Sequence, residues 1–271
     1  MTKTAPSHHS DTPFLISLWI IGGLYFLLIL ALLVADAFYT SPVHFSRALA
    51  DPSIQYAIKL SLLSCSLTAI LSLWVAVPIS YLLSRYRFPG KSVVDAVFDI
   101  PIVLPPLVVG LSLLILFQTA PGQVIESVLP VTYAVPAIVL AQFTVACALA
   151  VRTLRTTFEQ ISPRCEQVAL TLGCTRAQAF WHIVLPEARR GILTAGTLAW
   201  ARSLGEFGPV LVFAGATRMR TEVLPTTVFL ELSVGNVEAA VAVSLLMVAA
   251  ALVVLVIVRV FGTESSRGVN A

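Results

Sequence analysis

Apolar residues run along this chain in six long bands separated by short polar stretches. Most bands show neither the alternation of a half-buried strand nor the single stripe of a surface helix. About 20 mainly apolar residues carry a helix across the hydrocarbon of a bilayer, and bands of that order cover residues 14–35, 58–83, 92–117, 134–151, 191–215 and 237–260. The first holds no charge and is expected to end at Asp36. The second is rich in small residues, among them Ser61, Ser64, Ser66, Ala69 and Ser72, which suit close packing of helices. Pro101, Pro105 and Pro106 break the third, which is read as an interfacial piece bearing Asp95 and Asp99 followed by a kinked span. The pattern predicts an all-α membrane domain of six spans over residues 14–260, with short tails at 1–13 and 261–271.

Residues 166–186, EQVALTLGCTRAQAFWHIVLP, are the longest interval that is polar, charged and still patterned. Ser162 can cap a helix opened by Pro163, since a first-turn residue needs no N–H. Gly173 would stop that helix. Thr175 and Gln178, three apart, form a possible capping box for a second short helix that Pro186 is expected to end. Cys165, Val168, Ala169 and Leu172 fall on one face of the first helix, and Ala177, Phe180, Trp181 and Val184 on one face of the second. Residues 159–188 thus predict a helix-turn-helix too short to cross a membrane.

Composition agrees with the bands: 58% of residues are hydrophobic and 11% charged, outside the range of a soluble domain. The formal charge of +3 is spread along the chain, which gives nucleic-acid binding no support. Arg85, Arg87, Lys91, Arg152, Arg155, Arg164, Arg176, Arg189, Arg190 and Arg259 lie with the tails and the even-numbered connections, whereas Arg47, Lys59, Arg218 and Arg220 lie opposite. Cations mark the cytoplasmic side, so both termini and the helix-turn-helix are expected there. Cys65, Cys147, Cys165 and Cys174 include no zinc-type pair and read as reduced packing residues. The first band lacks a cleavage pattern and is expected to stay as an anchor.

No nucleotide site is encoded. Gly90, Lys91 and Ser92 resemble the end of a P-loop, but the glycine required five positions earlier is Arg85. His44 and His182 are expected on opposite sides of the membrane, so no hydrolytic constellation forms. Arg202 and Glu206 stand one turn apart within the fifth band and can pair. Gly205, Gly208 and Pro209 weaken the helix around them. Two readings remain open: a structural ion pair, or a charge lining a path for an anion. For the helix-turn-helix, Phe180, Trp181, Ile183 and Val184 between cationic flanks favour partner docking over a helix lying on lipid.

The order Ala169, Gly173, Ile183, Leu185, Pro186 resembles the EAA motif of ABC importer permeases, in which EAA, three residues, Gly, nine residues and I-x-L-P form the cytoplasmic coupling loop. Gln167 and Val168 stand where that motif has Glu and its first Ala, and Glu166 brings a carboxylate one position earlier. ARSLGEFGPVLVFAG, TEVLPTTVFLEL, PIVLPPLVVGLSLL and RALADPSIQYAIKLSL resemble the oxyanion branch, the molybdate/tungstate and sulfate/thiosulfate permeases. VFAG and the compact length lean toward molybdate. The resemblance implies a type I importer permease in the prokaryotic inner membrane, probed by its partners: a second permease subunit, a pair of ATP-binding cassette ATPases that hold ATP and Mg, and an extracytoplasmic binding protein. The chain itself would bind no cofactor. Glu166, Gln167, Ala169, Gly173, Arg176, Phe180, Trp181, Ile183, Leu185 and Pro186 are then implied in ATPase coupling, with Arg164 at the rim, and Arg202, Gly205, Glu206, Gly208 and Pro209 in the path or its gate. The rival is a secondary transporter driven through Asp95, Asp99, Arg202 and Glu206, against which stands the single clear proline break, where such proteins pair broken helices.

Overall fold

The computed structural model describes residues 12–39 and 42–264, so most of the two expected tails lie outside the described residues. Among those described, every regular element is helical. Helix α1 (Thr12–Tyr39) runs through Asp36, and α2 (Pro42–Ala50) leads to Asp51, whose carboxylate caps α3 (Pro52–Arg85) by accepting from the Ser53 amide at 2.8 Å. The apolar band reports depth in the bilayer. Backbone hydrogen bonding carries α1 and α3 beyond it, and so α3 starts six residues before residue 58.

The third band is two helices, α4 (Lys91–Val103) and α5 (Pro106–Gln118), bent by 111° to one another. Pro101 sits inside α4 and leaves it intact, and the break falls at Leu104 and Pro105, where the chain turns extended. After α6 (Ala120–Val128), α7 (Val135–Gln160) spans again. Then come α8 (Pro163–Thr171), α9 (Arg176–Ala179), a π-helical turn at Phe180–Val184, and α10 (Leu185–Leu204). Short α11 (Gly208–Phe213) and α12 (Leu224–Ser233) precede α13 (Val237–Glu264). Among the described residues four helices, α1, α3, α7 and α13, are each long and apolar enough to cross a membrane, and the bent α4–α5 pair makes a fifth candidate. The band at 191–215 is not one helix: α10 carries Glu187, Arg189, Arg190 and Arg202, then stops at Leu204.

Helices α3, α7 and α10 form the centre. Cys65 and Ala76 of α3, Ala146, Ala150 and Leu154 of α7, and Ala188, Ala195 and Ala199 of α10 are all fully buried in one cluster. Helix association inside lipid draws on van der Waals packing and interhelical hydrogen bonds rather than on water exclusion, so small side chains are what bring backbones together. Polar ties cross the same seams: Ser80 Oγ donates to the Val151 carbonyl at 2.9 Å, and Trp200 Nε1 to Ser66 Oγ at 3.3 Å. By contrast α1 leaves its apolar side chains exposed along its length, as a helix facing lipid can.

Candidate functional site

The polar helix pair is built by its own sequence. Ser162 Oγ accepts from the Arg164 amide at 3.4 Å at the start of α8. At its end Gly173 takes φ +90°, the left-handed conformation that glycine adopts without steric cost. The Cys174 amide donates to Ala169 O at 3.0 Å and the Gly173 amide to Leu170 O at 3.1 Å, which satisfies two terminal carbonyls. The capping box forms in both directions, Gln178 N to Thr175 Oγ1 at 3.2 Å and Thr175 N to Gln178 Oε1 at 2.8 Å.

Pro186 does not end the second helix. The chain stays helical from Arg176 to Leu204, because the turn before the proline widens: the Leu185 amide donates to Phe180 O, five residues back. A π turn relieves the clash of the proline ring with the preceding turn and leaves Pro186 in the first turn of α10, where its missing N–H is harmless. The expected faces are also corrected. Ala169, Ala179 and Val184 are buried, Phe180 and Ile183 partly so, while Cys165, Val168, Leu172, Ala177 and Trp181 are exposed, Trp181 at 63%. Apolar surface is thus exposed on both short helices.

Two residues of α3 and Tyr86, which follows its last turn, hold this pair. Arg85 Nε donates to Glu166 Oε1 at 2.7 Å, and Tyr81 OH donates to Glu166 Oε2 at 2.9 Å. Arg176 Nη1 donates to Tyr86 OH at 2.9 Å, its guanidinium 5.9 Å from the centre of that ring. Tyr81 also packs on Phe180, ring centres 4.7 Å apart, and on the buried Phe158 at 5.9 Å. Gln167 faces outward beside an inward-turned Glu166. One residue along an α-helix rotates a side chain by about 100°, so Glu166 does not offer its carboxylate on the surface that Gln167 occupies.

The second group lies where α10 breaks. Arg202 Nη1 is 2.6 Å from Glu206 Oε2, with the glutamate 1% exposed and the arginine 35%. Gly205 ends α10 by donating to Ala201 O at 3.4 Å, and the Glu206 amide donates to Ser203 O at 3.2 Å. Beyond the break, α11 lies directly on α5. A β-carbon on Gly208 would come within 2.9 Å of Pro106 Cβ, and one on Gly110 within 2.8 Å of Pro209 Cα. Gly205 has no such neighbour, its nearest contact being Arg202 O at 3.9 Å. The broken third band and the broken fifth band thus meet backbone to backbone.

Sequence reading missed Gln142, buried on α7 against the same break. Its Nε2 donates to Ser203 O at 3.2 Å, and Thr68 Oγ1 donates to its Oε1 at 3.2 Å, which joins α3, α7 and the end of α10. The signal was available: Gln142 is the sole amide side chain in the run AIVLAQFTVACALAV. The four charges of the rival reading do not assemble. Asp95 pairs with Arg155 at 2.7 Å on α7, and Asp99 lines the same recess, apart from Arg202 and Glu206. In the connection before α12, Arg218 Nη2 donates to Glu231 Oε1 at 2.7 Å, and Asn236 Nδ2 to Glu231 Oε2 at 2.8 Å. Burial pushes the carboxyl of nearby Glu222 up, and neither of its oxygens finds a hydrogen bond of good geometry. Among the described residues no cluster of metal-ligating side chains occurs.

These helices break against each other inside an apolar bundle, where irregular backbone is tolerated only if protein or a cavity satisfies it. The chain belongs to the family of binding-protein-dependent transport system inner membrane components, whose model matches residues 76–264. It is 33% identical over 249 residues to the sulfate transport system permease protein CysT of Salmonella typhimurium, covering 91% of this chain and 90% of that one. It is 34% identical over 250 residues to the molybdenum transport system permease protein ModB of Mycobacterium tuberculosis, covering 91% and 94%. The molybdate/tungstate permease protein WtpB of Pyrococcus abyssi is 36% identical over 168 residues, 62% of this chain and 64% of that one. Among solved structures, a bacterial alginate ABC transporter in complex with a pentasaccharide-bound periplasmic protein has the same fold, with a TM-score of 0.72 at 17% identity and 96% coverage of each chain. The family is one of transport permeases, multi-pass proteins of the inner membrane.

Proposed function

We propose that this chain is the permease subunit of an ATP-driven importer for an oxyanion, molybdate or tungstate in the first place. The observation that carries the oxyanion reading is the even likeness, at 33–34% identity over nine tenths of the chain, to permeases named for molybdenum and for sulfate, and molybdate stands first on VFAG and the compact length. The sulfate permease covers as much of the chain as the molybdenum one does, so sulfate or thiosulfate is the second reading.

In this proposal residues 159–188 seat an ATPase on the cytoplasmic face. Val168, Leu172 and Trp181 supply its exposed apolar surface, and Arg164 the charge at its rim, Arg176 being engaged with Tyr86. The ATPase pair holds ATP and Mg, a second copy of the permease completes the path, and a binding protein delivers the anion on the far side. Both termini are cytoplasmic. The half-exposed Arg202 guanidinium attracts a doubly charged anion, and the neighbouring Glu206 offsets part of that charge, so that the anion is released rather than trapped. Hydrolysis biases a two-state bundle between inward-open and outward-open arrangements.

The test is uptake by proteoliposomes containing the permease with the ATPase and binding protein encoded beside it. Labelled molybdate should enter only with ATP and binding protein, competed by tungstate and not by sulfate. Competition by sulfate moves the cargo to the second reading, and uptake driven by an ion gradient without an ATPase overturns the proposal.

A further inference from the structure

Two routes lead from the polar helix pair into the membrane bundle. The covalent one passes from α9 through the π turn at Phe180–Val184 and over Pro186 into α10. A π turn is a rare single-turn insert, and here it interrupts the regular α-helical hydrogen bonding along this route. The other route is non-covalent and runs from Glu166 on α8 to Tyr81 and Arg85 in the last turns of α3. There the side chains of Arg85 and Glu166 are only 9% and 14% exposed. Helix α3 then contributes buried residues from Ser53 to Leu83, most of its 34-residue length.

From this geometry we infer that Glu166 is a positioning residue, the clamp by which movement of the polar helix pair is passed to α3, and not itself a contact with the ATPase. The inference rests on the reading that residues 159–188 seat the ATPase. Both carboxylate oxygens are occupied from the α3 side, one by Arg85 Nε and one by Tyr81 OH. Arg85 Nη2 is buried without a hydrogen-bond partner, so Glu166 is the acceptor that holds this guanidinium. Gln167, exposed on the next position, is left with Arg164 and Val168 for a partner to touch from α8. Arg176 on Tyr86 makes a second grip on the same end of α3, but an exposed one.

The experiment uses the full complex of permease, ATPase and binding protein in proteoliposomes, and reads anions imported per ATP hydrolysed, with molybdate as the probe, or sulfate if the uptake assay selects it. A glutamine is neutral and its amide nitrogen only donates, so Glu166→Gln loses the ion pair with Arg85 and keeps Tyr81 only if that hydroxyl turns to accept. A charge-assisted hydrogen bond is worth about tenfold in a two-state equilibrium. The ratio is therefore expected to fall by roughly tenfold while the ATPase still co-purifies. The exchange Glu166→Arg with Arg85→Glu should recover much of it. Tyr81→Phe keeps the ring packing on Phe180, loses one bond, and gives a smaller fall in the same direction, which serves if Glu166→Gln fails to fold. An unchanged ratio in either variant overturns the clamp. So does release of the ATPase by Glu166→Gln without rescue by the exchange, since Glu166 would then be the contact. Trp181→Ala tests the seat separately: an ATPase that stays bound to it, beside a lowered ratio in Glu166→Gln, faults the seat and not the clamp.

Discussion

The polar helix pair at residues 159–188 and the break at Arg202–Pro209 are two places where this bundle departs from long apolar helices, and they are built in contrasting ways. Each turn of the first is secured by residues at most five positions apart: Ser162 with Arg164, Ala169 with Cys174, Thr175 with Gln178. The second has local ties at Gly205, Glu206 and Arg202 as well, but it is also secured from elsewhere, by Gly110 and Pro106 of α5 against Pro209 and Gly208, and by Gln142 of α7 on Ser203. A locally closed element can move as one body against a partner. An element held by distant helices changes shape only if those helices move too, and this is the property a gate needs.

The sharpest way to break the comparison is the charge pair. Glu206 is 1% exposed, and removing the partner of a buried charge costs about 3–5 kcal/mol. Arg202 is about a third exposed, so Arg202→Ala is expected at the low end, near 3 kcal/mol, in thermal unfolding of the purified permease. Adding Glu206→Gln should return most of that loss, because no uncompensated charge then remains. A single variant that melts like the wild type would show that the pair does not hold the break, leaving Arg202 to the transported anion alone.

Glycine replacements give the next effect. Gly208→Ala and Gly110→Ala each push a methyl group into backbone of the facing helix, and overpacking of that kind costs about 1–3 kcal/mol. Gly205→Ala, with nothing closer than 3.9 Å, should stay within about 0.5 kcal/mol. Equal effects at all three positions would sink the claim that α5 and α11 meet backbone to backbone at Gly110 and Gly208 only.

The same contrast explains how much was legible in the sequence. Caps and turns of the helix pair could be read because Ser162, Gly173, Thr175 and Gln178 act on neighbours only a few residues away. The apolar bands were legible because they record depth in lipid. Which apolar face points inward was not. In lipid both faces are apolar, and on α8 the periodicity that grouped Val168 and Leu172 with Ala169 could not say that only Ala169 is covered within this chain. The breaks were legible as weakness at Pro105 and Gly205, but not as a meeting point, since nothing local relates Gly110 to Pro209. Pro186 misled because a proline forbids one hydrogen bond and not a helix. The π turn before it accommodates that loss. Arg85, read as a cation of the cytoplasmic side and as the residue that spoils a P-loop, is bound by Glu166, eighty-one positions away.

The smallest expected effect sharpens the local side of the comparison. Thr175→Ala removes the acceptor for the Gln178 amide, while Gln178 Oε1 still accepts from residue 175. An N-cap of this kind is worth about 1 kcal/mol. Because α9 is four residues long and mostly exposed, that loss should appear as local fraying rather than as global unfolding. Amide hydrogen exchange at Gln178 and Ala179 should speed up about fivefold, the equivalent of 1 kcal/mol, while amides of α3 and α10 exchange as before. Faster exchange reaching α10 would mean that the π turn transmits the disturbance, and the helix pair would then not be the self-contained element that its caps describe.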